Sequence, residues 1–259
     1  MSEQSKKQSF LGGAAILAGA VAVVKVIGAL YKLPLNNILG DVGKTYFQTA
    51  YEIYNVLLTV STAGLPLAIS KLTSQAHARG RENEKRKIFC TAIWLFFALG
   101  LIGSCLMFFG AQGLADFQRN SMAAAPIRAL APALLLMCLC SADRGYTQGL
   151  GDMRYTAVSQ ILESLWKLAV GLALCRLALV RGRGLTRAVS GALWGVSAGG
   201  LGALSYLLSR LGRVPRGESV CLPGAGEARR LLQAAVPITA GAAGMSVLSM
   251  LDQVLLIST

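Results

Sequence analysis

The chain has 259 residues, of which 54% are hydrophobic and only 14% are charged, and its mean hydropathy is +0.56. No soluble core needs this much apolar surface, so these values exclude an ordinary soluble domain and indicate a polytopic membrane protein. The formal net charge of +13 does not indicate a nucleic-acid-binding protein. The basic residues lie between apolar stretches, as a membrane topology signal does, and not on one soluble face.

The first predicted membrane span, residues 10–33, contains a lysine. The stretch from Phe10 to Val24 carries no charge, and the whole span is about 36 Å long as a helix, enough to cross a bilayer. Lys25 therefore lies inside the membrane, where a cation costs about 2.5–3.5 kcal/mol even on a lenient insertion scale. We expect it to face a protein interior or a watery cavity. The alternative is a structural cation that pairs with Glu52 or Asp252, or that reaches the interface.

The helix face that carries Lys25 is otherwise lined by small residues and leads to Lys32, two turns beyond. Its other members are Ala14, Ala18, Val21, Ala22, Gly28 and Ala29. Small residues leave room beside the cation, and Lys32 extends the positive field toward the outer surface. Such a face suits an anionic amphiphile whose head crosses the membrane while its tail stays in lipid.

A loop and a second span are predicted next. The loop is indicated by its turn-forming residues, Pro34, Asn36, Asn37, Gly40, Asp41 and Gly43. The second span, residues 46–69, carries a polar stripe at spacings of three and four, formed by Gln48, Glu52, Asn55, Thr59 and Thr62. These spacings place the stripe on one side of a helix, away from lipid. Glu52, Asn55 and Thr59 are candidates to line a cavity; the alternative is hydrogen bonding between helices.

Charge along the middle of the chain predicts the orientation. Residues 71–87 form a predicted polar loop rich in lysine and arginine, which belongs on the cytoplasmic side and puts the N-terminus there too. The third span covers residues 88–109, and the fourth covers residues 127–141 with Arg128 at its entrance. A tight turn is predicted at residues 143–152. The arginines of residues 181–187 are the exception to the charge bias: either they count against this orientation, or they supply positive charge where an anionic headgroup leaves.

The fifth span, residues 156–180, is interrupted by Glu163 and Lys167. They are four residues apart with the acid first, the order that a helical ion pair prefers. Either they form a structural pair inside the bundle, or the lysine is released to a ligand when the pair breaks. The remaining spans are residues 188–208, rich in glycine and serine for close packing, and residues 231–258, which contain Asp252. Because the chain stops there, we expect it to be a fragment.

No catalytic or metal-binding pattern is visible. The only histidine, His77, lies in the basic loop, and neither a Ser/His/Asp set nor paired carboxylates at an interface occur. The six cysteines lie mostly within apolar stretches and predict neither a metal site nor a disulfide framework. We therefore expect no enzyme activity and no cofactor.

Two segments resemble a known family. The segments AYEIYNVLLTVSTAGLPLAISKLTSQ (residues 50–75) and RGYTQGLGDMRYTAVSQILE (residues 144–163) resemble bacterial polysaccharide exporters, specifically the stage V sporulation protein B branch. This branch is related to the peptidoglycan lipid flippases of the multidrug/oligosaccharidyl-lipid/polysaccharide exporter superfamily. The likeness extends over most of the chain, including residues 31–40 and 236–256. It implies an all-α helix bundle with two six-helix lobes around a central cavity that opens alternately to either side.

The resemblance assigns parts to this chain. Residues 1–230 would be the N-terminal six-helix lobe, and residues 231–259 the start of the second lobe. The implied function is a flippase in the cell membrane for an anionic lipid-linked saccharide or peptidoglycan precursor, with Lys25 at the kind of position where relatives meet the lipid diphosphate through an arginine. Alternatives are a cation-coupled multidrug exporter of the same fold and a non-transporting scaffold in cell-wall or spore-coat assembly. The expected partners are the lipid diphosphate and the bilayer, not nucleic acid.

Overall fold

The computed structural model describes residues 3–210, 224, 226–236, 239, 241, 244 and 248, with side chains from residue 12 onward except that of Arg210. Asp252 lies outside this set. Residues 3–210 form a helix bundle without strands, which confirms the all-α membrane class. Its helices are α1 (Glu3–Thr62), α2 (Leu65–Ala78), α3 (Glu82–Phe109), α4 (Ala111–Phe117), α5 (Ala124–Gly149), α6 (Met153–Val180) and α7 (Leu185–Arg210), with a short 3-10 turn at Ser121–Ala123.

Helix α1 is a hairpin that turns at one glycine. Gly40 has φ 63° and ψ −174° inside an otherwise helical stretch, a conformation that is essentially restricted to glycine. The rings of Tyr31 and Phe47 lie 6.3 Å apart, whereas a straight helix would separate them by about 24 Å along its axis. The chain therefore folds back at Gly40 into a first limb (residues 3–39) and a second limb (residues 41–62). The predicted loop at Pro34–Gly43 is wrong, since its break is confined to Gly40 and Pro34 lies inside the helix.

Two further loop predictions are wrong because helices extend past their apolar cores. The predicted basic loop at residues 71–87 is helical up to Ala78 and again from Glu82, and the predicted turn at residues 143–152 begins only after Gly149. The cause is packing between α2 and α5. A Cβ added at Gly149 would lie 2.7 Å from the Ser70 carbonyl oxygen, so the two backbones touch and both helices gain by continuing. The predicted second span is also broken, at Gly64 before α2.

The turns gather at two ends of the bundle. At the end with Gly40, a Cβ added at Gly43 would lie 2.9 Å from Leu185 Cδ1 at the start of α7, and Asn120 donates a hydrogen bond to Thr49 Oγ1 at 3.2 Å. We call this the Gly40 end. The opposite end holds Met153, whose Sδ would lie 3.4 Å from a Cβ added at Gly13. The alternation agrees with the predicted topology, and which end faces the cytoplasm stays a prediction.

Four helical stretches of the described chain are long and apolar enough to cross a membrane: Gly12–Ala78, Glu82–Phe109, Ser121–Gly149 and Leu185–Ser209. The first is 67 residues long, and the turn at Gly40 divides it. Helix α6 is not among these four stretches, and it carries the charged residues Glu163, Lys167 and Arg176 among its apolar residues. Bulky residues on the surface, such as Ile102 at 67% exposed, indicate where lipid contacts the lobe.

Helix α5 lies at the centre of the core, and α6 and α7 meet at backbone distance. The fully buried side chains of α5 include Ile127, Leu130 and Leu134. A Cβ added at Gly195 of α7 would lie 2.5 Å from Gly171 Cα of α6, so this crossing requires glycine on both helices, as the composition of the sixth span predicts.

The disulfide state of the cysteines differs in part from the prediction. Cys90 is disulfide-bonded, so the prediction of no disulfide is wrong at this position. Cys105, Cys138, Cys140 and Cys175 are free thiols. Within the described residues, no three His, Cys, Asp or Glu side chains come close enough together to hold a metal ion.

Candidate functional site

A cleft of about 380 Å³ lies between the two limbs of α1. It exists because the turn at Gly40 brings the limbs face to face. The first limb contributes Lys32, Leu35, Asn36 and Leu39, and the second limb contributes Lys44, Phe47, Gln48, Tyr51, Glu52 and Asn55. The structure therefore brings together three of the predicted site residues, Lys32, Glu52 and Asn55.

The first limb has three distinct faces. The buried face packs into the lobe through residues such as Ile27, Tyr31, Leu35 and Leu39. A second face exposes bulky apolar residues and contains Val23, Val26, Leu30 and Leu33. The third is exposed, small and cationic and contains Ala18, Ala22, Lys25, Ala29 and Lys32. At 100° per residue the faces are about 120° apart, so the bulky face suits lipid while the cationic face adjoins the cleft through Lys32.

Lys25 lies near the middle of the first limb. It is twelve residues from Gly13 and fifteen from Gly40, which places it about 18 Å and 22 Å from the two ends of the bundle. Its side chain is exposed on this lobe and is not buried inside it. In the part of the chain that the structure describes, no carboxylate lies within salt-bridge distance of Lys25. Glu52 is thus not its partner.

The other predicted residues lie apart from the cleft. Thr59 follows Asn55 by one turn and is half-buried, without lining the cleft. Arg128 is exposed near the start of α5.

Glu52 of the cleft has one oxygen, Oε2, that is buried without a hydrogen-bond partner. An unpartnered polar atom of this kind is costly unless the cleft is filled.

Glu163 pairs with Arg144 of α5, so the predicted ion pair between Glu163 and Lys167 is wrong. Arg144 Nη2 lies 2.8 Å from Glu163 Oε2, and Arg144 Nε donates to Ser159 Oγ at 3.0 Å. The two charged side chains are 11% and 21% exposed. A surface pair along one helix contributes only about 0.2–0.5 kcal/mol. An arginine from a neighbouring helix that also bonds Ser159 makes a better-satisfied arrangement in the bundle.

Lys167 is instead held by two tyrosines of α1. Its Nζ donates to Tyr51 Oη at 3.0 Å and lies 4.7 Å and 5.5 Å from the ring centroids of Tyr51 and Tyr31. Tyr31 in turn donates to the Ala192 carbonyl oxygen at 3.0 Å. We call Tyr31 and Tyr51 the tyrosine clamp. Because Tyr51 lines the cleft, a cation stabilised by aromatic rings lies directly behind the cleft wall.

The resulting electrostatics are positive. The cleft lining described here carries Lys32 and Lys44 against one carboxylate, Glu52. Lys25 extends the charge along the limb, and Lys167 adds to it from behind. Sequence reasoning missed Asn36, Lys44, Tyr51 and Arg144. Of these, Arg144 could have been found from the sequence, since a membrane-embedded acid requires a cation and Arg144 closely follows the predicted fourth span.

Two curated proteins of similar sequence come from Bacillus subtilis (strain 168). The chain is 30% identical to stage V sporulation protein B of Bacillus subtilis (strain 168) over 78% of this chain and 39% of that protein. It is 28% identical to the lipid II flippase MurJ of the same organism over 76% of this chain and 38% of that protein. The chain thus spans about two fifths of the length of these curated relatives.

Solved structures show the fold. A MATE protein crystallised in complex with MaD5 superposes with a TM-score of 0.81 at 13% identity, over 93% of this chain and 55% of that one. A MOP superfamily transporter from Pyrococcus furiosus gives a TM-score of 0.70 at 15% identity, over 91% and 53%. The family model of the polysaccharide biosynthesis proteins matches residues 10–259. Nearly the whole chain is covered by that match, and the chain belongs to the polysaccharide biosynthesis protein family.

Proposed function

We propose that the complete protein is a membrane flippase for an anionic lipid-linked saccharide or peptidoglycan precursor. The observation that carries this proposal is the cationic cleft between the limbs of α1, where Lys32 and Lys44 face one carboxylate. A lysine is a strongly hydrated point charge that attracts phosphate without fixing its orientation. Such a cleft suits a diphosphate headgroup that must be bound and then released.

The lobe geometry fits transport by alternating access. The cleft holds the charged head, while the bulky face of the first limb leaves an apolar surface for the lipid tail beside it. Lys25 lies farther along the same small face, near the middle of the membrane, and continues the positive path. No covalent step is involved, since movement of the head past these charges is the whole reaction. The relative named lipid II flippase supports the substrate class.

A cation-coupled exporter is the second candidate, and Glu52 favours it. Its buried Oε2 has no hydrogen-bond partner, and an unpaired carboxylate in a cleft is a binding site for a proton, a sodium ion or a cationic substrate. The two functions differ in which residue is essential. The flippase requires the lysines, and the cation-coupled exporter requires Glu52.

Alanine substitution of the lysines tests the proposal in the full-length protein. We expect Lys25→Ala and Lys32→Ala each to abolish export of the lipid-linked precursor, because the two lysines lie two turns apart and each supplies charge at its own point along the path of the headgroup. Lys25→Arg is expected to retain activity, since charge matters more than shape. Export is measured by complementation of a deletion strain, and membrane abundance by immunoblot.

The matched control is Lys71→Ala, which removes an exposed lysine of α2 outside the cleft and should leave export unchanged. Normal export by Lys25→Ala at wild-type abundance would contradict the cavity role of Lys25. Loss of transport in Glu52→Gln, with both lysine variants active, would favour the cation-coupled exporter instead.

A further inference from the structure

A second groove, of about 250 Å³, lies on the lobe surface where α6 ends and α7 begins. Its rim consists of Arg181, Arg183 and Arg187, and its apolar wall includes Leu174, Leu177 and Trp194. It shares no residue with the cleft in α1. The groove is therefore separate from the cleft and lies at the Gly40 end of the bundle.

A hydrogen-bonded turn directs the three arginines to one place. Gly182 and Gly184 have φ values of 63° and 84°, which reverse the chain within a few residues. The Gly182 amide donates to the Leu179 carbonyl oxygen at 2.9 Å, and the Arg183 amide donates to the Ala178 carbonyl oxygen at 3.0 Å. The charges are thus presented from an ordered turn between two packed helices.

These arginines have no acidic partner in the described part of the chain, where the carboxylates within salt-bridge distance of a cation are Glu82, Glu84 and Glu163. Under the predicted orientation they also lie on the non-cytoplasmic side, where lysine and arginine are normally sparse. Topology therefore does not account for them. A guanidinium offers several donors in a planar fork that matches phosphate oxygens.

The wall of the groove is apolar and open to lipid. Leu177 is 44% exposed, Trp194 is 48% exposed and the neighbouring Val180 is 86% exposed. In a membrane-spanning lobe these side chains contact acyl chains. A free phosphate ion makes no favourable contact with such an apolar wall. A phospholipid contacts the rim with its headgroup and the wall with its acyl chain.

We propose that this groove binds an anionic phospholipid of the bilayer leaflet at the Gly40 end. The phosphate is held by Arg181, Arg183 and Arg187, and one acyl chain lies along Leu174, Leu177 and Trp194. A lipid bound there contacts both α6 and α7 and fills the notch between them. The proposal is independent of the transported substrate, because none of these residues lines the cleft.

Lipid retention by the purified full-length protein tests this site. The probes are dioleoyl phosphatidylglycerol, dioleoyl phosphatidylcholine and inorganic phosphate, and bound lipid is counted by native mass spectrometry after titration in detergent. Each basic side chain near a membrane surface contributes about 1 kcal/mol of attraction to anionic lipid, so the triple variant Arg181→Gln/Arg183→Gln/Arg187→Gln is expected to bind phosphatidylglycerol about a hundredfold more weakly. The single variant Arg183→Gln should lose about fivefold.

The matched control is Arg79→Gln/Arg119→Gln/Arg154→Gln, which removes the same charge from three exposed positions outside the groove and should bind phosphatidylglycerol as the unmodified protein does. Equal losses in the two triple variants would overturn the proposal, since they would indicate attraction by overall charge. Equal binding of phosphatidylcholine would overturn it as well. Competition by millimolar inorganic phosphate would show a soluble-anion site and not a lipid site.

Discussion

Glu163 forms its ion pair with a residue of a neighbouring helix and not with the lysine one turn away on its own helix. Its carboxylate lies four residues from Lys167 but bonds Arg144 of the neighbouring helix, and Lys167 bonds the tyrosine clamp. Both charges are thereby satisfied by groups on other helices. The interaction that holds α6 to α5 is ionic, and the one that holds α6 to α1 is a cation against aromatic rings.

A double-mutant cycle on Arg144 and Glu163 should reveal strong coupling. Arg144→Gln and Glu163→Gln are each expected to cost about 3 kcal/mol of unfolding free energy, because each leaves a mostly buried charge unpaired. The double variant should lose less than the sum. The measurement is thermal unfolding in detergent.

The control cycle pairs Glu163→Gln with Lys167→Gln, whose effects should add, since these two side chains bond different partners. If the coupling appeared in the control cycle and not between Arg144 and Glu163, the ion pair described here would be wrong.

At the scale of elements, the Gly40 turn determines whether the cleft forms. Its torsion angles lie in a region that residues with a Cβ avoid, yet a Cβ added there would meet no atom within 4 Å. The requirement for glycine is therefore conformational and not steric crowding by neighbours.

Gly40→Ala is expected to lower the unfolding free energy by about 1–3 kcal/mol, because alanine at these angles is strained. Gly19→Ala is the matched control in the first limb. Its Cβ would also meet nothing within 4 Å, but its φ is ordinary, so alanine should be neutral or stabilising by up to about 1 kcal/mol. Thermal unfolding of the two variants in detergent checks this, and equal midpoints would contradict the strain.

The apolar cores of the helices were predictable from sequence, whereas their ends and contacts were not. The predicted span at residues 88–109 lies within α3, and both have the same last residue, Phe109. The loop prediction from Pro34 to Gly43 was wrong because turn-forming residues also occur inside membrane helices, where neighbouring helices supply hydrogen bonds to the freed backbone groups. Among the residues that line the cleft, Lys32, Glu52 and Asn55 stand out in the sequence by charge and spacing, and their role in binding stays a prediction. The partner of Glu163 was not, because contacts between helices leave no local pattern.

At the scale of the whole molecule, the two ends of the bundle must face opposite sides of the membrane. Asp41 lies beside Gly40, and Arg79 lies in the turn between α2 and α3 at the other end. Both side chains are exposed. Lys85, by contrast, is only 6% exposed and bonds Glu82 at 2.6 Å, so it is a poor position for labelling.

Single cysteines placed at Asp41 and Arg79 in a cysteine-free protein should react with a membrane-impermeant thiol reagent from opposite sides. We expect Asp41 to be labelled from outside the cell and Arg79 only after the membrane is opened, because the basic turn belongs to the cytoplasm. A cysteine at Arg183 should behave as Asp41 does. Labelling of Asp41 from the cytoplasm alone would reverse the orientation.

The glycine contact between α6 and α7 has a mechanical consequence. Where Gly195 meets Gly171, the contact contains no side chain that could change rotamer and let the helices slide. We therefore expect α6 and α7 to move together as one rigid unit. Helix α1 contacts α6 and α7 through longer side chains, among them the tyrosine clamp on Lys167. We therefore expect relative movement within the lobe to occur between α1 and these two helices, and such movement would break the hydrogen bond from Lys167 to Tyr51.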